Sequence, residues 1–259
     1  GHKRAANAGY AAIVAYGLVL DSVKPIEPSA TNENDMSEYE TWMRLKIASQ
    51  LRFADTFLND VRANQVLAKS AEELMALKEY QQAVNAAELL TRRNPPADMN
   101  LLKTAWLVIG HSQFELQGYS EAEIAYHNTL KLMPESDSGK HAIVERLAAS
   151  VYKQAEQAMQ DKNSLLAVEQ YLRVAEVAPG SAISVTAQFD AANTLLNVEN
   201  YSRAIVVLNS FRRDYPENSL TADIPAKLVV AYQNTEQWAL AAEELSGIYN
   251  SSNDENVRR

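Results

Sequence analysis

The sequence lacks cysteine altogether and contains little glycine or proline, with 8 of each in 259 residues. The absence of cysteine excludes a disulfide framework, thiolate catalysis and any cysteine-ligated metal or iron–sulfur site. Glycine and proline supply the turns of sandwiches, barrels and doubly wound folds. Because both are scarce while alanine occurs 39 times, the composition predicts an all-α protein.

Charge and hydropathy narrow the classes of partner. The 33 acidic and 24 basic residues give a net charge of −9, which disfavours binding to a polyanion such as nucleic acid. The longest apolar run, Tyr10 to Leu20, has roughly eleven residues against the ~20 that a bilayer requires, so we expect no membrane insertion. The opening Gly1-His2 resembles a remnant of cloning, which predicts a piece of a longer protein.

The chain repeats itself in four columns of residues, found by using prolines as markers. The proline steps are 39, 45 and 37 residues, and alanine stands twelve residues before each proline. An aromatic residue usually precedes that alanine by three, and a small residue recurs further upstream. The columns are Pro95, Pro134, Pro179, Pro216; Ala83, Ala122, Ala167, Ala204, Ala241; Tyr80, Tyr119, Ser164, Tyr201, Trp238; and Ala71, Gly110, Ala155, Ala192, Val229.

Each column has a steric reason. The small residue and the alanine allow two antiparallel helices to approach closely, and proline ends the second helix. The turn inside each pair is expected at Lys78-Glu79, Gln117-Gly118, Lys162-Asn163, Glu199-Asn200 and Glu236-Gln237. Since each pair buries one face only, the pairs are expected to stack. The step of 45 predicts about two extra helical turns within 140–161.

These columns resemble the tetratricopeptide repeat (TPR), most clearly over 103–134, where Trp106, Gly110 and Tyr126 fall close to the family pattern. The resemblance implies a right-handed superhelical solenoid of helix pairs at about 64–95, 103–134, 141–179, 185–216 and 222–253. Residues 1–63 are expected to form divergent or incomplete repeats with a loop near 26–36, and 254–259 a frayed tail. Within them, Gly9 to Pro25 resembles a second helix that lacks its first helix.

The sequence carries no recognisable catalytic constellation. It has no HExxH motif, no nucleophile elbow and no glycine-rich loop for a dinucleotide, so we expect neither an enzyme nor a bound cofactor or metal. Neighbouring carboxylates such as Glu72-Glu73 are expected to form a solvated helix face.

The inner face of the stacked first helices is the candidate binding surface, because TPR proteins hold partner peptides there. Helical spacing places the candidate side chains on one face. The alternative is that its apolar members only pack between repeats. The resemblance implies the groove candidates, which are the family's groove positions carried onto this chain: Glu72, Met75, His111, Phe114, Glu115, Tyr152, Glu156, Met159, Phe189, Asn193, Asn197 and Gln233.

This set mixes acids with aromatic residues and has almost no lysine or arginine. It therefore favours a protein or peptide partner with an apolar, basic segment, and it lacks the basic residues with which some TPR proteins hold a C-terminal carboxylate. The predicted function is a non-enzymatic scaffold. The alternative is a spacer or self-assembly module of a larger envelope protein with an unused groove.

Localisation follows from a finer resemblance. The repeat boundary over 212–219 (RRDYPENS) resembles that of bacterial envelope repeat proteins. This predicts a periplasmic or outer-membrane-attached location in a bacterium, with the cytoplasm as the alternative.

Overall fold

The computed structural model describes residues 2–23 and 33–251, and within these ranges every regular element is helical. The chain divides into two compact units, Gly1–Lys140 and His141–Arg259. The N-terminal unit holds α1 (His2–Val23), α2 (Glu33–Thr56), α3 (Ala63–Ala76), α4 (Tyr80–Thr91), α5 (Met99–Glu115) and α6 (Tyr119–Leu132). The C-terminal unit is built from α7 (Lys140–Gln160), α8 (Ser164–Val177), α9 (Ile183–Asn197), α10 (Tyr201–Asp214), a 3-10 helix (Ser219–Asp223), α11 (Ile224–Asn234) and α12 (Trp238–Ser251).

Tight turns join the two helices of each repeat, from α3/α4 to α11/α12. The first residue of every predicted turn has a positive φ, between 58° and 62°. In the first of these turns the Glu79 N–H donates to the Leu74 carbonyl and the Lys78 N–H to the Met75 carbonyl, which is the Schellman arrangement. The predicted turn positions are thus confirmed, at Lys78, Gln117, Lys162, Glu199 and Glu236.

Replacing Lys78 by glycine is expected to raise the free energy of unfolding by about 0.5–1 kcal/mol, because glycine adopts a positive φ without a Cβ penalty. Lys131→Gly, at an exposed helical position of α6, should instead lower it by a similar amount. Urea unfolding followed by circular dichroism measures both. If Lys78→Gly were no more stable than Lys131→Gly, the left-handed turn would not be a source of strain.

The repeated columns lie where the helices approach most closely. The alanines of the second helices are fully buried in four repeats and nearly so at Ala241, and Ala71, Ala155 and Ala192 of the first helices are also fully buried. Each marker proline follows the end of a second helix by a few residues, as with Leu132 and Pro134. The prediction of an all-α fold of stacked helix pairs is confirmed; the handedness of the superhelix stays a prediction.

The added length in the third repeat lies in its first helix. α7 has 21 residues, whereas the first helices of the other four repeats have between 11 and 17. The two extra turns expected from the proline step of 45 are therefore found where the sequence placed them.

The N-terminal part differs from its prediction. α1 packs on α2 and forms a pair with it, instead of being a second helix without a first. A Cβ on Gly9 would come within 3.3 Å of the Phe53 ring of α2, so Gly9 is a close-approach position like Gly110. Most of the loop predicted near 26–36, and the tail 254–259, lie outside the described residues; α2 already begins at Glu33.

α1 also bears on the expectation that the chain does not insert into a membrane. By length and composition alone the helix over Lys3–Val23 is sufficient to cross a membrane, since it runs unbroken through alanines that flank the eleven-residue apolar run. One such helix near the N-terminus is weak support for a membrane span. In this structure α1 buries Ala6, Ile13 and Leu20, the face that it turns toward α2.

Candidate functional site

A cavity of about 550 Å³ lies in the N-terminal unit, lined by α1, α2, α3 and α5. α1 contributes apolar side chains that remain exposed, Val14 at 48% and Leu18 at 67%. α3 contributes the opposite wall, which includes the predicted groove residue Glu72. Three of the four helices are first helices of their pairs, and Glu72 is the one predicted groove residue in the lining.

Two polar side chains of α2 reach the cavity. Lys46 donates from Nζ to Glu73 Oε1 at 2.7 Å, and this ion pair is largely buried. Gln50 is only 2% exposed, and its Oε1 has no hydrogen-bond partner among the described residues. A buried amide oxygen without a donor costs free energy, so a ligand N–H that reached it would be favoured.

The other predicted groove residues of the N-terminal unit lie on α3 and α5, and none of them is buried. Nδ1 of His111 lies 2.9 Å from the hydroxyl of Tyr126, so this imidazole is held against the second helix. Phe114 makes an edge-on contact with Tyr119 at 5.1 Å between centroids. Met75 packs against the core while Glu115 is exposed. Glu72 alone of this group lines the cavity.

In the C-terminal unit, predicted groove residues form a hydrogen-bonded cluster across α7, α8 and α9. The Tyr152 hydroxyl donates to Asp190 Oδ2 at 2.6 Å, and its ring packs on Tyr171. Burial raises the pKa of Tyr152 above its ordinary value of 10, and the hydrogen bond to Asp190 raises it further, so this phenol stays protonated well into the alkaline range. Burial likewise raises the pKa of Tyr171.

The remaining predicted residues of this unit divide by exposure. Phe189 packs on Phe211, and the Lys227 ammonium lies 5.1 Å from its ring centroid, within cation–π distance. Asn193 is half-buried, and Met159, Asn197 and Gln233 are exposed. These four are placed where a partner could reach them.

Two of the predicted groove acids pair with a lysine of their own helix. Glu72 pairs with Lys69, and Glu156 pairs with Lys153, each lysine three residues earlier on the same helix. Lys46 and Lys69 line the cavity of the N-terminal unit, and Lys227 lies beside Phe189 in the C-terminal unit. The predicted acids are therefore partly neutralised, and their attraction for a basic segment is reduced.

A second cavity, of about 360 Å³, lies between the second helices α2 and α4. Leu58 and Leu89 are exposed there, and Arg93 donates to the Ala54 carbonyl at 3.0 Å. This cavity lies on a different pair of helices from the predicted groove, so it offers an alternative docking position.

Sequence reasoning missed the residues that shape both the cavity and the cluster. Val14 and Leu18 belong to α1, whose repeat position was misassigned, and Gln50 belongs to a second helix. Asp190 lies one helical position after Phe189 and was not singled out. Among the residues that the structure describes, no group of three or more His, Asp or Glu side chains could hold a metal ion.

No family model matches this sequence, and no curated protein matches it. The solved structures that this chain matches include TPR proteins. YrrB, a TPR protein with an unusual peptide-binding site, is 16% identical over 78% of this chain and 93% of its own, with a TM-score of 0.36. The TPR2AB domain of yeast Sti1, in complex with pHSP90, is 15% identical over 89% of each chain, with a TM-score of 0.34. The P58(IPK) TPR domain is 16% identical over 98% of this chain and 75% of its own, with a TM-score of 0.35.

At these identities and TM-scores the chain is similar to TPR proteins in its repeated helix pairs. Its fold assignment rests on its own turns and buried columns.

Proposed function

We propose that the chain is a non-enzymatic repeat scaffold that binds a protein partner on its inner face. The observation that carries this proposal is the cavity between α1, α3 and α5, because exposed Val14 and Leu18 stand there beside the unpartnered oxygen of buried Gln50. Apolar surface with a few convergent polar groups is the usual composition of a binding pocket, and 550 Å³ is within the usual range of about 300–1,000 Å³.

The chemistry of the cavity favours a particular kind of partner. Leu18 and Val14 supply apolar contact, Gln50 Oε1 accepts a hydrogen bond, and the Asp21 carboxylate also lines the cavity. A partner segment with apolar side chains and an N–H donor, from an amide, lysine or arginine, satisfies all three. The role of Glu72 is smaller than the sequence alone suggests, since Lys69 already neutralises part of its charge.

Loss of apolar contact at Leu18 is the sharpest test. Peptides selected from a random displayed library on the immobilised chain serve as probes, and calorimetry measures their affinities. Leu18→Lys should weaken binding by about tenfold or more, because it removes apolar contact and repels a basic ligand. Ile124→Lys, which changes an equally exposed apolar residue of α6 away from the cavity, should leave the affinity unchanged.

A third variant separates the two cavities. If Leu89→Lys abolished binding while Leu18→Lys did not, the cavity between α2 and α4 would be the site and the inner-face proposal would be wrong. If Leu18→Lys, Leu89→Lys and Ile124→Lys all bound the peptides as tightly as the wild type, neither cavity would be the binding site. Glu72→Gln and added salt should weaken binding only modestly, since the pair with Lys69 is exposed and screened.

The C-terminal unit presents a second candidate surface, at Tyr152, Glu156, Phe189 and Asn193. The Tyr152 phenol is already bonded to the Asp190 carboxylate, Glu156 is paired with Lys153, and Lys227 occupies one side of Phe189. This surface therefore has fewer open groups for a ligand than the cavity of the N-terminal unit. We place the principal contact at that cavity.

The setting of the scaffold is a separate proposal. The resemblance of the boundary sequence over 212–219 to bacterial envelope repeat proteins supports a bacterial periplasmic location. Cell fractionation of the native protein tests it, and recovery in the cytoplasmic fraction would overturn it.

A further inference from the structure

The cavity between α2 and α4, here called the α2/α4 cavity, has a closed floor and an open rim. Its floor is formed by Ala54, Leu67 and Ala86, which are all buried. Its rim carries Leu58, in the turn after α2, and Leu89 of α4, which are 55% and 56% exposed. The lining comes from α2, α3, α4 and the residues that follow α2 and α4, with no contribution from α1 or α12. The cavity is therefore a groove between two neighbouring repeats rather than the outer face of a terminal helix.

Two lining residues are particular to this repeat. Leu89 stands six residues before its marker proline, and Arg93 stands two residues before it. At the position of Leu89 the next three repeats carry polar residues, Asn128, Arg173 and Ser210. At the position of Arg93 they carry no base, but Leu132, Val177 and Asp214. Since three repeats form the same helix pair without them, the fold itself does not require an exposed leucine and an arginine here.

Arg93 supplies a positive charge at the end of this groove. It is half-buried, and its Nη2 donates to the Ala54 carbonyl at 3.0 Å, which is its only polar contact among the described residues. Its Nε is buried and has no hydrogen-bond partner there. A guanidinium does not lose its proton, so this N–H is satisfied only by an acceptor. A carboxylate is the acceptor that also compensates the charge.

The other polar groups of the lining are consistent with one carboxylate. Asn85 accepts through Oδ1 from Gln81 at 3.1 Å, which leaves its Nδ2 to donate toward a ligand. Asp55 also lines the cavity and repels a ligand carboxylate, but it is exposed. Exposed charges are screened over about 8 Å at physiological salt, whereas the Nε of Arg93 is withdrawn from water. The same screening reduces the effect of the net charge of −9.

We propose that the α2/α4 cavity binds an acidic, apolar segment of a partner protein. An Asp or Glu side chain of the segment accepts from Arg93 Nε, and neighbouring apolar side chains pack between Leu58 and Leu89. Because the rim is open, the groove suits a chain that passes across it.

This site is independent of the proposed cavity between α1, α3 and α5. The two cavities share no lining residue. They also differ in chemistry, because the first offers an acceptor, Gln50 Oε1, and this one offers a donor, Arg93 Nε. The two sites therefore select segments of different charge.

Short random peptides serve as probes, displayed by fusion through their C-termini so that none offers a terminal carboxylate. The library is depleted on the Arg93→Gln chain and then selected on the Leu18→Lys chain, in which the other cavity is altered. The recovered peptides should share an Asp or Glu beside leucine-like side chains. Recovery of no peptide, or of peptides that lack an acid, would overturn the proposal.

Calorimetry on the synthesised peptides, with amidated C-termini, then locates the contact. Leu89→Asn, the residue that α6 carries at this position, should weaken binding about fivefold or more through lost apolar contact. Asp55→Asn should strengthen binding roughly two- to fivefold, because it removes an exposed repulsion. Arg92→Glu reverses the charge of the neighbouring arginine, which is 73% exposed, and should bind like the wild type. If Arg92→Glu weakened binding as much as Leu89→Asn, the attraction would be unspecific and the proposal would be wrong.

A reversal of charge on both sides is the decisive measurement. A peptide whose acid is replaced by lysine should bind the wild-type chain at least about tenfold more weakly, and should bind the Arg93→Glu chain more tightly than it binds the wild type. An arginine that only held the Ala54 carbonyl would give no such recovery, so its absence would contradict the proposal. The lysine peptide and Asp55→Asn leave Arg93 in place, and circular dichroism verifies that each variant is folded.

Discussion

Replacing Leu208 by alanine is expected to lower the free energy of unfolding by about 2–5 kcal/mol. Leu208 of α10 is fully buried within the core of the C-terminal unit, among residues of α8 to α11. Truncation removes contacts with that core and leaves a cavity that the packed helices fill only in part. The shift of the urea unfolding midpoint, with the slope unchanged, measures the loss.

Leu245→Ala is the matched control, because the same residue type stands at the same repeat position of α12. Leu245 is 48% exposed, so its truncation should cost less than about 1 kcal/mol. Both variants are measured at the same protein concentration. Equal losses for the two leucines would contradict the prediction, because they would mean that the burial of Leu208 contributes nothing to the free energy of unfolding.

The helix pairs could be predicted because the signals that define them are local. Ala167 and Pro179 act within a few residues of their own positions, one by permitting close approach and the other by ending a helix. The turn residues Lys78 and Glu199 were located correctly although neither is glycine, since the columns on both sides fix where the chain reverses. Repetition then strengthened each weak local signal.

α1 was harder to place because its partner is distant in the sequence. Gly9 meets Phe53 after an intervening segment that is longer than the short turns of the other pairs. The column spacing that identified the other repeats therefore fails here, and the helix looked like half of a pair. Only the tertiary contact between α1 and α2 shows its role.

The candidate site was predicted in outline and missed in detail. The resemblance to the TPR pattern implied that Glu72 belongs to the inner face, whereas the cavity beside it depends on how α1 stands relative to α3. The lysines could have been found, because Lys69 and Lys153 precede Glu72 and Glu156 by three residues, the spacing of an ion pair on a helix. The unpartnered oxygen of Gln50 follows from packing that no local pattern records.

Gly110→Ala is expected to lower the free energy of unfolding by about 1–2 kcal/mol, although alanine is the better helix former. A Cβ at Gly110 would lie 2.8 Å from the nearest atom of the Tyr126 ring. That ring is fully buried and its hydroxyl is held by His111, so it cannot move aside without loss. Overpacking of about 1–3 kcal/mol then exceeds a gain in helix propensity of about 0.5–1 kcal/mol.

Gly17→Ala measures the effect of helix propensity on the free energy of unfolding by itself, because no atom lies within 4 Å of a Cβ at this position in α1. It should stabilise the chain by about 0.5–1 kcal/mol, so the two glycines should respond in opposite directions.

The repeat over 185–216 also supplies a compensating change, since Ala192 is there matched with Leu208. In a double-mutant cycle, Gly110→Ala should therefore cost less when Tyr126 is replaced by leucine. An unchanged cost would mean that the ring is not what excludes the methyl group, and the small-residue column would need another physical basis.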